Sequence, residues 1–285
     1  MDSYPSTSLV NFWRFLLSSL LFLPVFLKMI YNNNTDINNN DINNNDMNNN
    51  NDDINKYKAG IELGIYTFLG FAFQAIGLET TTASRSAFLL YLNVKFVPFL
   101  GLFLFKRSIH PLNWISAAFA LVGTSLLSTT SDKFNIGDLW CIGAAIASAM
   151  FILRLDTYSK CYNAAQLNSI TFVTVTFLCG LWVIGDMIYN INLNISNIFI
   201  PFIQNPWIIL YLGIITTGIC NYIQTIGQKT IPAEKAAIVY SLDPLYGAFF
   251  SWLLLDESLS FLGYIGGILI LIGVYITTKI PKEKV

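Results

Sequence analysis

The sequence predicts an all-α polytopic membrane protein built from two inverted five-helix repeats, the first of which lacks its first helix, so that nine helices cross the bilayer. Three observations predict it. Of 285 residues, 54% are hydrophobic and 12% charged, against roughly 45–50% and about 25% in soluble domains. Gln74 to Gly123 lies without a gap on Gln224 to Gly273, 150 positions later, with 14 of 50 residues identical, including Gln74/Gln224, Gly77/Gly227, Leu92/Leu242 and Gly123/Gly273. Such a period marks a duplicated architecture, and a miss there would miscast the whole fold. The third observation is that the basic residues fall on one side of successive apolar runs.

The first run, Leu9 to Ile30, is long enough at about 1.5 Å per residue to cross a hydrocarbon core of roughly 30 Å. A signal peptide would have a shorter apolar run, a basic leader and a small-residue cleavage site, none of which is present. Residues 32–55 are Asn tracts spaced by Asp. They offer too little apolar surface to offset their ordering entropy, so a disordered loop is expected. Beyond it, Gly, Pro, Asn and charge clusters divide the chain into helices expected at about 59–80, 84–105, 111–129, 136–159, 165–188, 206–228, 234–255 and 260–278. In lipid each must satisfy its own backbone groups, which an apolar helix does.

These divide into a first repeat at 1–130, containing the Asn-rich loop, and a second at 131–285. The second has five helices and the first only four. Leu9 to Ile30 pairs with Leu167 to Ile188, which puts the unmatched helix before Met1. A truncated chain and a nine-span protein both fit, and truncation is the favoured expectation. If the helix ends alternate, 12 Lys and Arg residues share the side of the C-terminus. Only Arg14, Arg85 and Lys133 lie toward the other side, with Lys95 between. The positive-inside rule makes the C-terminus cytosolic. Repeats of odd helix number joined in series must be inverted, as in secondary transporters.

Two stretches carry a family resemblance. TTASRSAFLLYLNVKFVPFL, followed by Trp114 and GTSLLS, and GQKTIPAEKAAIVYSLDPLYGAFFSWLLLDESLSFLGYIGGILILIGVYI resemble the two repeats of the EamA family of the drug/metabolite transporter superfamily. That family's usual Glu-Pro stands here as Asp243-Pro244. The resemblance covers about residues 9–279 apart from the Asn-rich segment. It implies ten helices, cytosolic termini and a central cavity lined by the helices at 59–80, 84–105, 206–228 and 234–255.

Candidate substrate or coupling residues follow from polarity within apolar helices. Lys95 stands in the middle of one, where a charge costs roughly 2.5–3.5 kcal/mol and must face a cavity or a partner. Asp243 aligns with Asn93 across the repeat and lies at the same depth as Lys95. An ion pair could gate the cavity, or Asp243 could carry a coupling proton. The structural alternative is that Asp243 caps backbone freed by Pro244. Gln74 and Gln224 are a polar identity between the repeats, with interhelical hydrogen bonding as the alternative. Tyr222, Tyr240 and Tyr246 add hydrogen-bonding groups, as does Asn221. Pro98 and Pro244 each remove a helical hydrogen bond and are expected to bend their helices as hinges.

Other polar residues have plainer readings. Arg14 and Arg154 lie near helix ends and are expected to snorkel toward water. Glu62 and Glu79 are expected to be solvated, Asp256-Glu257 to bound a helix, and Gly263, Gly266, Gly267 and Gly273 to serve close packing. Asn194-Ile195-Ser196 is a glycosylation sequon. Cys141, Cys161, Cys179 and Cys220 have no metal or CxxC spacing and read as buried small side chains. His110 precedes a Pro in a loop and is no catalytic candidate. No HExxH, GxSxG or phosphate-loop motif occurs, so neither enzyme nor cofactor is expected.

The function expected is a permease or exporter that moves a small polar metabolite by alternating access. The alternative is a non-transporting receptor or assembly subunit derived from one. The expected partners are a small-molecule substrate and membrane lipid, with homo-oligomerisation left open. No basic face suggests nucleic acid. Which membrane holds the protein is not legible.

Overall fold

A computed structural model describes residues 6–39, 46–81, 83–106, 109–127, 135–189, 198–255 and 261–279, and the regular elements among them are all helical. The sequon at Asn194 and the Asp256-Glu257 turn lie outside the described residues. In chain order the elements are α1 (Thr7–Asn39), α2 (Asp46–Leu78), α3 (Ala83–Leu90), α4 (Asn93–Phe103), α5 (Pro111–Leu127), α6 (Ile136–Cys161), α7 (Ala164–Tyr189), α8 (Ile200–Gln204) and α9 (Pro206–Leu210). A π-helical segment at Tyr211–Ile219 leads into α10 (Cys220–Gln228), followed by α11 (Ala233–Tyr240), α12 (Asp243–Leu255) and α13 (Phe261–Thr278).

Six stretches are helical, long and apolar enough to cross a membrane: Thr7–Tyr31, Ile54–Leu78, Ile136–Cys161, Ala164–Ile188, Pro206–Gln228 and Phe261–Thr278. The other three expected spans differ. That at 111–129 is a helix of 17 residues. Those at 84–105 and 234–255 are each broken in two, by turns at Tyr91-Leu92 and Ser241-Leu242. The expected loop at 32–55 differs too, since the backbone is helical through Asn39 and again from Asp46, with residues 40–45 outside the description. Adding a residue to an existing helix costs far less than nucleating a new one, so an apolar span can carry its helix into a polar tract.

The chain forms two compact units, Met1–Phe68 with Thr157–Thr230, and Leu69–Asp156 with Ile231–Val285. Each draws elements from both sequence repeats. In the first unit α1 packs on α7 and on the π-helical segment. Ser6, just before α1, and Ser8 on it donate to Asp186 Oδ2 on α7, at 3.1 and 2.5 Å. Glu62, expected to be solvated, accepts from the Tyr158 hydroxyl instead.

In the second unit α5 packs along α13, and these helices are repeat mates. Their contact is set by glycine: a Cβ on Gly123 would lie 2.5 Å from the Gly266 carbonyl oxygen, and one on Gly273 would lie 2.9 Å from that of Ser116. The packing role expected of Gly273 and Gly266 is what the structure shows, and it lets two backbones approach as small residues do in membranes. At the start of α6, the Asp138 amide donates to Asn135 Oδ1 and the Asn135 amide to Asp138 Oδ2, a reciprocal cap. Thr81 adds a hydroxyl to Asp138 Oδ1 at 3.0 Å. Cys141 and Cys179 are buried as expected, whereas Cys161 and Cys220 are exposed.

Candidate functional site

Most of the sequence candidates fall in the second unit, around the two helix breaks. The breaks are 150 residues apart and share one hydrogen-bond pattern. The Leu92 amide donates to the Leu89 carbonyl and that of Leu242 to the Val239 carbonyl, tightening each helix end to an i→i+3 turn. The Phe96 amide then donates to Leu92, and that of Tyr246 to Leu242. The patterns diverge where the Val94 amide reaches the Tyr91 carbonyl, since the repeat mate of Val94 is Pro244, which has no amide hydrogen; they differ too at Tyr91, whose amide reaches the Ala87 carbonyl, whereas that of Ser241 reaches Ile238.

Pro244 is therefore not a mid-helix kink. It is the second residue of α12, where the first four amides have no intrahelical acceptor in any case. Asp243 begins that helix, a favourable place for a carboxylate beside the positive end of the helix dipole. Ser241, fully buried, turns its hydroxyl onto the Ile238 carbonyl at 2.5 Å and satisfies part of the α11 terminus. Pro98, by contrast, is inside α4 and leaves the Val94 carbonyl without its helical donor.

The two breaks are drawn together by packing. Val94 at the start of α4 and Ile238 near the end of α11 share a buried cluster with Ala117 and Ala120 of α5. One turn further along α4, Val97 packs with Ala233 and Ala237 of α11 and with Ala149, Ile152 and Leu153 of α6; Tyr240 lies against this cluster, half-buried. Asp243 is within electrostatic reach of Tyr91.

Asn93 opens α4 as Asp243 opens α12. It is 7% exposed, its Nδ2 donates to Ser148 Oγ at 3.2 Å, and its Oδ1 is buried with no hydrogen-bond partner among the described residues. A buried acceptor left unmade costs about 1–3 kcal/mol, so this carbonyl is poised for a donor. Lys95 is not in mid-helix but in the first turn of α4, where the helix dipole opposes a cation. It is exposed, with Nζ 5.9 Å from the Phe99 ring centroid, and that ring stands edge-on to Trp114 at 4.8 Å. Among the described residues no ion pair joins Lys95 to Asp243. Asp243 and Tyr246 are both exposed.

Gln74 on α2 is half-buried in this unit, and Gln224 on α10 is half-buried in the first. Neither side chain is hydrogen-bonded to another described residue. Tyr222, also in the first unit, sets its ring at a tilt to that of Phe22 with centroids 5.7 Å apart, and Phe22 lies 5.4 Å from the buried Phe172. Asn221 donates to the Thr217 carbonyl of its own helix at 2.8 Å.

Sequence reasoning missed the breaks themselves. The signal was present in Asp243-Pro244, an acid and a proline adjoining an apolar run, which is the ordinary signature of a helix start. It gave no sign of the partner of Arg14, whose Nε donates to Thr217 Oγ1 in the first unit. Arg154 lies with its guanidinium carbon 5.0 Å from the Phe105 ring centroid.

These elements define an integral, multi-pass, all-helical membrane protein whose broken helices recur at a fixed sequence interval. The chain belongs to the EamA-like transporter family, whose profile matches residues 2–129 and 135–279. An uncharacterized transporter of Archaeoglobus fulgidus is 26% identical over 223 residues, covering 78% of this chain and 69% of its own. The uncharacterized transporter YdfC of Bacillus subtilis is 24% identical over 219 residues, covering 74% and 68%. A protein of known crystal structure, 14% identical, superposes on 98% of this chain and 90% of its own with a TM-score of 0.69; at that identity the likeness speaks for the fold alone. By family, then, the chain is a membrane transporter.

Proposed function

We propose that this protein is a permease that carries a small polar metabolite by alternating access, with its C-terminus on the cytosolic side. The observation that carries the reading is the pair of breaks at Tyr91-Leu92 and Ser241-Leu242. Unwound backbone at membrane depth is tolerated only where protein buries it or water reaches it, and transporters use such breaks to build substrate sites from half-helix ends. Here each break delivers a polar residue, Asn93 or Asp243, to the first position of a half-helix.

In this reading Asn93 Oδ1 accepts a donor from the substrate, and Asp243 carries a proton or meets a cationic group. Lys95 holds an anionic group or screens Asp243 in one state of the cycle. Tyr240, Tyr246 and Gln74 contribute hydrogen bonds in the same unit, and Tyr222 and Gln224 do so in the other. Pro98 and Pro244 flank the segments whose backbone would flex, as hinges do. The cytosolic C-terminus is supported by the distribution of Lys and Arg.

The test is uptake by purified, full-length protein in proteoliposomes, screened over amino acids, sugars and organic acids with and without a pH gradient. Substrate-dependent flux that falls at least tenfold in Asp243→Asn and loses its pH dependence is expected. Absence of flux from a folded chain across the screen would favour the non-transporting reading.

A further inference from the structure

The one side chain hydrogen-bonded to Asn93 among the described residues is that of Ser148 on α6, whose Oγ accepts from Asn93 Nδ2 at 3.2 Å. Ser148 is the thirteenth residue of the 26-residue span Ile136–Cys161, hence at its midpoint. The Asn93 amide therefore lies near mid-depth too. Two neutral polar side chains of the second unit meet there, on helices whose adjoining residues Val94, Val97, Ala149 and Ile152 are apolar and buried.

A side-chain carbonyl at a helix start ordinarily caps the first amides of that helix. Here those amides are already taken. The Val94 amide donates to Tyr91, and the Lys95 and Phe96 amides both donate to Leu92. Backbone alone closes the start of α4, and no side chain caps it. Asn93 Oδ1 is thus left buried and unmet on a residue that is 7% exposed. Ser148 engages Asn93 only as an acceptor, and its own hydroxyl hydrogen meets no acceptor among the described residues. Ser148 is half-buried, so the pair is not sealed on its side.

The pair presents one open acceptor, Asn93 Oδ1, and one open donor, the Ser148 hydroxyl. A group that completes both must itself donate and accept. A hydroxyl does so, and so does a primary amide. A carboxylate would set an acceptor against Oδ1, and an ammonium would set a donor against the Ser148 hydrogen. A site built to hydrogen-bond its substrate rejects such mismatches strongly, because its buried polar groups are then left unpaired. Ser148 also decides which atom of Asn93 is offered. By accepting from Nδ2 it keeps Oδ1 for the ligand, whereas an amide released from that bond could turn and offer its N–H instead.

We infer that Asn93 and Ser148 form a mid-membrane reader of a neutral hydroxyl or primary amide, in which Ser148 orients the asparagine and donates to the same group. That this group belongs to cargo rests on the permease reading; its binding does not.

The experiment uses the full chain in phosphatidylcholine nanodiscs and saturation-transfer NMR, with propionamide, 1-propanol, propionate and propylammonium at constant ionic strength and empty nanodiscs subtracted. Saturable binding of propionamide, propanol or both is expected, at concentrations at least fivefold below those of the two ions. Propanol binding names the hydroxyl, and propionamide binding alone names the amide. Asn93→Leu should raise the half-saturation concentration of the neutral probe at least tenfold. Ser148→Ala should narrow its preference over propionate severalfold, and Ser148→Thr, which restores the hydroxyl, should recover it; a merely structural serine would leave that preference unmoved. The two Ser148 variants decide the matter if Asn93→Leu does not fold. Binding of propionate or propylammonium as tight as that of the neutral probes would overturn the inference. So would unchanged selectivity in Ser148→Ala, or no saturable binding of any probe, which would leave Asn93 Oδ1 to a trapped water. Probe binding without flux in any screen would sink the permease reading and keep the site. Flux whose substrate preference is indifferent to both Asn93→Leu and Ser148→Ala would do the reverse.

Discussion

Gly123→Ala adds a single methyl group at the closest helix contact of the second unit. Its Cβ would meet the Gly266 carbonyl oxygen at 2.5 Å, Ile270 Cγ1 at 2.7 Å and the Ile270 amide nitrogen at 3.0 Å, whereas ordinary contact begins at 3.4 Å. Two of these neighbours are backbone, so no rotamer change relieves the overlap and α5 must move from α13 by nearly 1 Å. Overpacking of this kind costs about 1–3 kcal/mol, and a gap of ~1 Å forfeits up to about half of the dispersion energy along the seam. Gly227 is the control, because among the described residues nothing lies within 4 Å of the Cβ position there. Gly227→Ala should change stability by no more than about 0.5 kcal/mol. The assay is a denaturant titration of both variants in mixed micelles, followed by tryptophan fluorescence. Gly123→Ala is expected to unfold at clearly lower denaturant than Gly227→Ala. Coincident midpoints would refute the claim that the α5–α13 seam is set by glycine.

Other outcomes follow from the same geometry. Asp138→Ala removes the acceptor of the Asn135 amide and the Thr81 hydroxyl together, and should cost about 1–3 kcal/mol in the same titration; Asp138→Asn should cost less, because it keeps an acceptor. Asn93→Leu removes the unmade Oδ1 and should leave stability within about 1 kcal/mol of the wild type, while lowering uptake at least tenfold if substrate is the missing donor. Lys95→Met relieves a cation at a helix N-terminus and should raise stability by about 0.3–1 kcal/mol; a loss of stability would mean that Lys95 has a structural partner. Tyr222→Phe should preserve uptake if only the ring contact with Phe22 matters, and reduce it if the hydroxyl meets substrate.

Much of the architecture was legible along the chain because its causes are local or repeated. Apolar runs longer than the bilayer core announce helices wherever they stand, and identities at a constant interval of 150 pair Gly123 with Gly273 and Asn93 with Asp243. The breaks were less legible. The run through Leu90 to Leu92 stays apolar and contains no Gly or Pro, so hydropathy carries straight across it, and only Asp243-Pro244 hinted that a helix begins there. Lys95 was singled out by its charge, but its place in a first turn depends on that break.

What the sequence determined by itself, then, was the solvent, the repeat and the polar residues that lipid cannot hold cheaply, since each follows from composition or spacing. Only the tertiary structure decided what those residues touch. Gly77 and Gly227 are matched in the repeat, yet a Cβ on Gly77 would strike Cys141 Sγ at 2.6 Å while one on Gly227 meets nothing within 4 Å among the described residues. Arg14 reads as a helix-end cation until folding sets it against a threonine 203 positions away. Contacts between helices are chosen by three-dimensional packing, and the distance along the chain carries no record of them.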